Sequence, residues 1–200
     1  MMDLKRVFWD ASMHKGEMGY LKTQRKYELA KTIVFYVLSF AILALGWIST
    51  GTRNNLLTIV AVLGILPATK ALVVTILFFR YQGCPEEEAK KIESALWIEH
   101  GHKRLSLYDR VFTGQKKTFE VRSLTIGDGC ILYYAEPGKA EEKAFKEHLA
   151  PFLGAEHLDG YTIKGYEHLE KYLERIRSLS IDPPQEKDLA LRRMLCQISL

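Results

Sequence analysis

Acidic residues are absent from one long stretch of this sequence. None of the 24 Asp and Glu residues falls between positions 32 and 79, where the only basic residues are Arg53 and Lys70. Soluble domains carry charges along their whole length, whereas the core of a bilayer excludes them. A long charged segment precedes the stretch and no small-residue cleavage site follows it, which excludes a cleavable signal peptide. We therefore expect an anchor that is retained in a membrane.

Cysteines and catalytic motifs are also scarce. Cys84, Cys130 and Cys196 are spaced without pattern, which excludes CxxC redox motifs and cysteine-based zinc sites. His100 and His102 have no third ligand at a recognisable spacing. No phosphate loop, nucleophile elbow, HExxH motif, EF-hand or dinucleotide fingerprint occurs. The sequence therefore predicts no catalytic residue, metal or cofactor, and it favours a non-enzymatic role over an enzymatic one.

Two apolar runs fill the stretch that lacks acids. They extend from Thr32 to Thr50 and from Leu56 to Phe79, and about 20 helical residues suffice to cross a bilayer core. Only GTRNN joins them, so the two helices are expected to be antiparallel neighbours. The loop contains one basic residue, Arg53. The outer ends of the two runs are flanked by seven basic residues: Lys22, Arg25, Lys26, Lys31, Arg80, Lys90 and Lys91. The positive-inside rule then places both termini of this multi-pass protein in the cytoplasm.

Pro67 and Lys70 are the unusual residues of the second run and our candidates for a role within the membrane. Pro67 removes a helical hydrogen bond and leaves the carbonyl of Leu63 without its partner. A lysine at this depth costs about 3 kcal/mol to insert, and neither run contains a carboxylate to pair with it. Lys70 could snorkel to the headgroups, bond freed carbonyls, or face water between subunits.

Small residues form a stripe along the second run: Ala61, Gly64, Ala68, Ala71 and Thr75. Such stripes let helix backbones approach closely, and packing drives helix association in lipid. The stripe could pack on the first helix of the same chain or serve self-association. We predict a homo-oligomer, in which Gly64→Leu or Ala68→Leu would weaken the contact between subunits.

The remaining sequence predicts a cytosolic α/β domain at residues 86–179 and a tail at 180–200 that could be helical. Its hydrophobic periodicity alternates between helical and extended, in the order α-β-β-β-α-β-α. Gly127-Asp128-Gly129 marks a hairpin between the second and third strands. A helical crossover leads to the fourth strand, so we expect a small mixed sheet with helices packed on it. The predicted organisation is therefore a basic segment at 1–31, the transmembrane hairpin at 32–80, the α/β domain at 86–179 and the tail at 180–200.

This order of elements resembles the core of the restriction-endonuclease-like, PD-(D/E)xK nucleases over residues 86–179. That resemblance implies an acid on the second strand and a Glu-x-Lys pair on the third, which together hold Mg²⁺ beside a lysine. Glu120 could serve as the first acid. Glu136 and Lys139 are three residues apart across a Pro-Gly break, which is not the Glu-x-Lys spacing. We therefore expect a degenerate core without nuclease activity.

The hairpin itself, KTQRKYELAKT followed by TGTRNNLLTIVAVLGILPATKALV, resembles uncharacterised two-span membrane proteins of Gram-positive, clostridial-type bacteria. The resemblance implies this topology and a location in a bacterial inner membrane, and it brings no activity with it. Our leading hypothesis is an integral membrane protein that presents an interaction or assembly module to a cytosolic protein partner. The alternatives are an oligomeric pore or lipid-facing conduit regulated by the domain and, more distantly, a membrane-tethered nuclease-like protein. Specific nucleic-acid binding is not expected.

Overall fold

The computed structural model describes residues 16–51, 56–97, 103–114, 117–180 and 184–200. Arg53, the His100–His102 pair and residues 1–15 of the basic N-terminal segment lie outside these ranges. The chain divides into two units. The first includes Leu21–Gln82, and the second includes Gly83–Leu200.

Two long apolar helices form the described part of the first unit. Helix α1 extends from Tyr20 to Thr50, and helix α2 extends from Leu56 to Arg80. Both are long and apolar enough to cross a membrane. Helix α1 begins twelve residues before the apolar run, because the segment after Gly19 is rich in helix-forming Leu, Lys, Arg and Glu and contains no Gly or Pro.

A mixed four-stranded sheet with helices forms the second unit. Its elements are α3 (Glu86–Leu96), β1 (Leu105–Thr113), β2 (Thr118–Gly127), β3 (Cys130–Tyr134), α4 (Glu142–Ala155), β4 (Thr162–Tyr166), α5 (Leu169–Arg177) and α6 (Glu186–Ile198). The strands lie in the order β1-β2-β3-β4. The first three are antiparallel neighbours, and β4 is parallel to β3, which α4 connects to it.

Helices cover both faces of this sheet. On one face, α4 and α6 pack on the strands through a cluster that includes Phe145, Leu149, Leu191 and Leu195. On the other face, α3 and α5 contribute a second cluster, whose members include Ala89, Ile92, Leu96, Tyr172 and Ile176. The tail predicted at 180–200 therefore contains a helix that belongs to the core of the domain.

Strand β1 changes its orientation at Asp109. Leu107 and Phe112 are five residues apart and belong to the same cluster, which regular strand alternation would not allow. Asp109 has a φ of 55°, and its buried carboxylate accepts a hydrogen bond of 2.6 Å from the backbone N–H of Cys84. The strand thus turns over at this residue, and the paired strand β2 turns over beside it, between Val121 and Leu124.

Gly165 on β4 leaves room for a buried tyrosine on the neighbouring strand. Tyr133 lies opposite Gly165 in the β3–β4 register, and its ring packs at 4.8 Å from that of Phe145. A Cβ atom at position 165 would overlap the hydroxyl and ring of Tyr133. The absence of a side chain at this position is what allows Tyr133 to lie across β4.

We expect Gly165→Ala to destabilise the domain by about 1–3 kcal/mol, the usual cost of overpacking a core. The measurement is thermal unfolding of the full-length chain in detergent, followed by near-ultraviolet circular dichroism of the aromatic residues. Gly160→Ala is the matched control, because a Cβ there meets nothing within 4 Å. Equal stability of the two variants would contradict the proposed role of Gly165.

Candidate functional sites

The small-residue stripe of α2 lies inside the hairpin. Ala61, Ala68 and Ala71 are buried, with Ala68 fully inaccessible. A Cβ atom on Gly64 would come within 2.8 Å of Ser39 Oγ on α1. The stripe therefore packs against the first helix of the same chain, so Gly64→Leu and Ala68→Leu are expected to separate α1 from α2.

Polar groups fasten α1 to α2 near the start of α1 and the end of α2. Arg25 donates through Nε to the carbonyl of Phe78 at 2.9 Å and through Nη2 to the carbonyl of Tyr81. Its guanidinium also lies 5.7 Å from the centre of the Phe79 ring. Phe78 belongs to the last turn of α2, whose carbonyls have no backbone donor within the helix, and Tyr81 directly follows that turn. Arg25, which charge counting treats only as a topology signal, thus caps α2.

Two further contacts extend this polar region. The hydroxyls of Thr32 and Thr75 are hydrogen bonded across the hairpin at 2.9 Å. Glu28 is buried, and its carboxylate bonds Lys31 Nζ at 3.2 Å. The carboxylate nearest to the apolar runs is therefore already paired within α1.

Pro67 and Lys70 lie outside the face of α2 that packs on α1. Both are exposed, and so are Leu66 and Val73 on either side of Lys70. Within the described residues, no hydrogen bond or ion pair reaches the Lys70 ammonium. The structure thus separates the two groups of candidates, with the stripe turned inward and Pro67 and Lys70 turned outward.

The carboxylates singled out by the nuclease resemblance lie near one another, and each has a cationic partner. Glu120 on β2 pairs with Lys139 at 3.3 Å. Glu136 pairs with Arg122, which also binds Glu88 of α3 at 2.9 Å. A divalent cation at this place would have to displace the chain's own basic side chains.

Arg122 is the centre of this cluster, and the sequence analysis did not predict that role for it. Its side chain is only 14% exposed, and it also donates to the hydroxyl of Tyr134 at 3.4 Å. Burial alone would lower the pKa of Arg122, but its partners Glu88, Tyr134 and Glu136 outweigh burial and raise that pKa above its ordinary value. Its position two residues after Glu120, on the same face of a strand, is the signal that could have indicated it.

We expect Arg122→Ala to destabilise the domain by about 1–2 kcal/mol, because it leaves two neighbouring carboxylates without their cation. Addition of Mg²⁺ at millimolar concentration should restore part of the melting temperature of this variant and leave that of the wild type unchanged. Lys117→Ala is the control, because the Lys117–Glu141 pair is exposed and contributes little. Loss of stability without any response to Mg²⁺ would contradict the view that Arg122 occupies a cation position.

A groove of about 520 Å³ opens at the carboxyl ends of β3 and β4, where open α/β sheets commonly bind ligands. Glu141, Glu142 and Glu167 line it together with Tyr133 and Lys171. The hydrogen bond from Lys146 lowers the pKa of Glu142, and that from the backbone N–H of Gly165 adds to the effect. Ionised carboxylates in a groove favour a cationic group, such as a basic side chain of a partner.

Arg110 is a fully buried cation at the outer edge of β1. Its guanidinium donates to the carbonyls of Tyr108 and Leu200 and lies 5.0 Å from the centre of the Tyr20 ring. Burial lowers its pKa from the ordinary value. Ser199 and Leu200 also pair with this edge, since Phe112 and Ser199 form a bridge. Arg110 thereby holds the end of the described chain against β1.

His148 on α4 lies among aromatic rings in a separate cavity. The rings of Phe119, Phe152 and Phe112 surround the imidazole at centre-to-centre distances of 5.3, 5.6 and 6.5 Å. Its Nε2 is inaccessible and has no hydrogen-bond partner. Burial lowers the pKa of His148 below its ordinary value.

The domain should lose stability as the pH falls from about 7.5 to 5. The lowered pKa of His148 means that the unfolded chain takes up a proton at higher pH than the folded one does. Stability is therefore complete above the unfolded pKa and decreases as the pH falls towards the folded pKa. Denaturant titrations at several pH values should show that His148→Phe, which keeps an aromatic ring without a basic nitrogen, reduces this dependence. An unchanged slope in the variant would exclude His148 as its source.

Comparison of the chain with protein-family models, curated proteins and solved structures found no match. Among the residues that the structure describes, no group of three or more His, Cys, Asp or Glu side chains is placed to hold a metal ion.

Proposed function

We propose that α1 and α2 cross a membrane as an antiparallel hairpin and anchor the α/β domain on its cytosolic side, where the domain binds a partner. One observation carries this proposal. All exposed large apolar side chains of the described chain lie on these two helices except Met18, Trp97, Phe152 and Leu189.

Water is a poor solvent for such a surface. Burying one large aliphatic side chain stabilises a protein by about 1.5–3 kcal/mol relative to leaving it in water. Contiguous apolar patches of more than a few hundred Å² indicate an interaction with a membrane or a protein. A buried core helix would be covered along most of its length, but only 17% and 22% of the most apolar windows of α1 and α2 are buried. Lipid is the environment that suits both helices.

The charges near the ends of the helices support a cytosolic position for both termini. Lys22 and Lys26 lie in the first turns of α1, and Arg80 ends α2. The polar contacts of Arg25 and Glu28 lie at this same end of the hairpin. Cytosolic loops of membrane proteins are rich in Lys and Arg, which also meet anionic headgroups.

Two features of the domain support a binding role over a metal-dependent nuclease. Glu88, Glu120 and Glu136 are neutralised by Arg122 and Lys139, so the carboxylates that would hold Mg²⁺ are already paired. The groove at the ends of β3 and β4 remains open, and its Glu141 and Glu142 form ion pairs with the exposed Lys117 and Lys146, which a basic segment of a cytosolic protein can displace. We therefore propose a bacterial inner-membrane protein that presents a binding module.

Reporter fusions at residues 1 and 200 are expected to be active only in the cytoplasm. In a variant without the native cysteines, a cysteine at Asn54 should react with an impermeant maleimide added to intact cells. A cysteine at Lys22 is the matched control and should react only after the membrane has been permeabilised. An externally active reporter at residue 200 would contradict the proposed topology.

A further inference from the structure

We propose that Lys70 is a docking site within the membrane for a transmembrane helix of another protein, one that carries Asp or Glu at the depth of Lys70. The inference rests on the proposed membrane insertion of α1 and α2. The partner supplies a carboxylate, because Lys70 requires one and the two helices contain none at this depth.

The depth of Lys70 makes its charge difficult to satisfy from the same chain. Ten residues separate it from Arg80, which corresponds to about 15 Å along a helix. This places its Cα near the middle of a core about 30 Å thick. A lysine at such depth is costly to leave unpaired, and such residues usually pair with another group or face water.

Escape to the cytosolic headgroups is opposed by the direction of the side chain. In an α-helix, long side chains lean towards the N-terminus of their own helix. Helix α2 begins at Leu56, which the proposed topology places at the outer surface of the membrane. The preferred direction therefore leads the ammonium away from the nearer, cytosolic surface.

Lys70 also points to the outside of the hairpin. The side of α2 that packs on α1 is formed by Ala61, Ala68, Ala71 and Thr75, whereas Lys70 is exposed between Leu66 and Val73. Among the described residues, the Lys70 ammonium bonds neither α1 nor α2, and this includes the carbonyl of Leu63 that Pro67 frees. Its partner is therefore expected from outside this pair of helices.

A second copy of the chain offers no carboxylate at this depth. Residues 32–79 contain neither Asp nor Glu, and Glu28, the closest acid before them, is buried and paired with Lys31. The hydroxyl of Thr69, which donates to the carbonyl of Ile65, can still accept a hydrogen bond from an ammonium but does not neutralise its charge. Charge complementarity thus selects a different protein with an acidic residue in its span, and an apolar helix surface that fits Leu66, Val73 and Pro67.

Full-length protein reconstituted in phosphatidylcholine vesicles allows a direct test with synthetic transmembrane peptides. Three Leu/Ala-rich peptides carry Asp, Asn or Leu at their centre, and association is measured by energy transfer from the peptide to a label on the protein. Polar contacts between helices in lipid contribute about 0.6–1.7 kcal/mol, so the Asp peptide should bind about 3- to 20-fold more tightly than the Leu peptide.

Variants at position 70 assign this preference to the lysine. Lys70→Leu should abolish the preference for Asp, and Lys70→Arg should keep it. Lys70→Asp should reverse it, so that a peptide with a central Lys binds better than the Asp peptide. Reactivity of a cysteine at Asn54 monitors insertion in every variant, which separates a failure of the membrane assignment from a failure of the pairing.

Three results would overturn the proposal in protein that is inserted correctly. The first is equal binding of the Asp and Leu peptides to the wild type. The second is energy transfer between two labelled copies of the chain that Lys70→Leu removes without any peptide, which would make a second copy the occupant. The third is an enrichment of phosphatidylglycerol around the wild type, lost in Lys70→Leu, together with no preference for Asp, which would make lipid phosphate the partner.

Discussion

The placement of apolar surface is the constraint on which this structure depends. In the second unit, apolar side chains are enclosed between the sheet and its helices, and both faces of β3 are covered. In the first unit, the apolar side chains face outward and the small ones face inward. One chain thus contains two opposite arrangements of apolar surface. The hydrophobic effect orders the domain, whereas close packing and polar contacts hold the helices together.

Basic side chains are satisfied in different ways in the two units. Arg122 neutralises two carboxylates, Arg25 caps the carbonyls at the end of α2, and Arg110 bonds carbonyls at the edge of the sheet. The planar guanidinium suits these tasks, because it donates in several fixed directions at once. Lys70 has a single flexible ammonium, and the described chain provides no partner for it. The three arginines thus have their partners within the chain, whereas Lys70 requires a partner from outside it.

The sequence predicted the coarse architecture because strong local signals determine it. The absence of acids between residues 32 and 79 indicated two apolar helices, and alternating periodicity indicated a small mixed sheet with helices. The reversal of β1 at Asp109 could not be predicted, because it depends on a carboxylate that bonds the distant backbone of Cys84. The core position of α6 was also missed, because its moderately amphipathic pattern is equally typical of an exposed tail helix.

The candidate sites were harder to predict, because composition does not show which side of a helix faces its neighbour. The stripe of α2 and Lys70 lie on the same helix, and only the position of α1 shows that the stripe is covered and Lys70 is not. The same limit applied to the acids of the domain, whose pairing with Arg122 and Lys139 joins residues from α3, β2 and the segment after β3. Because the stripe is already used within the hairpin, close packing of small residues there is not available to a second chain. The proposed recognition at the outer face of α2 therefore depends on the charge of Lys70 and not on a packing motif.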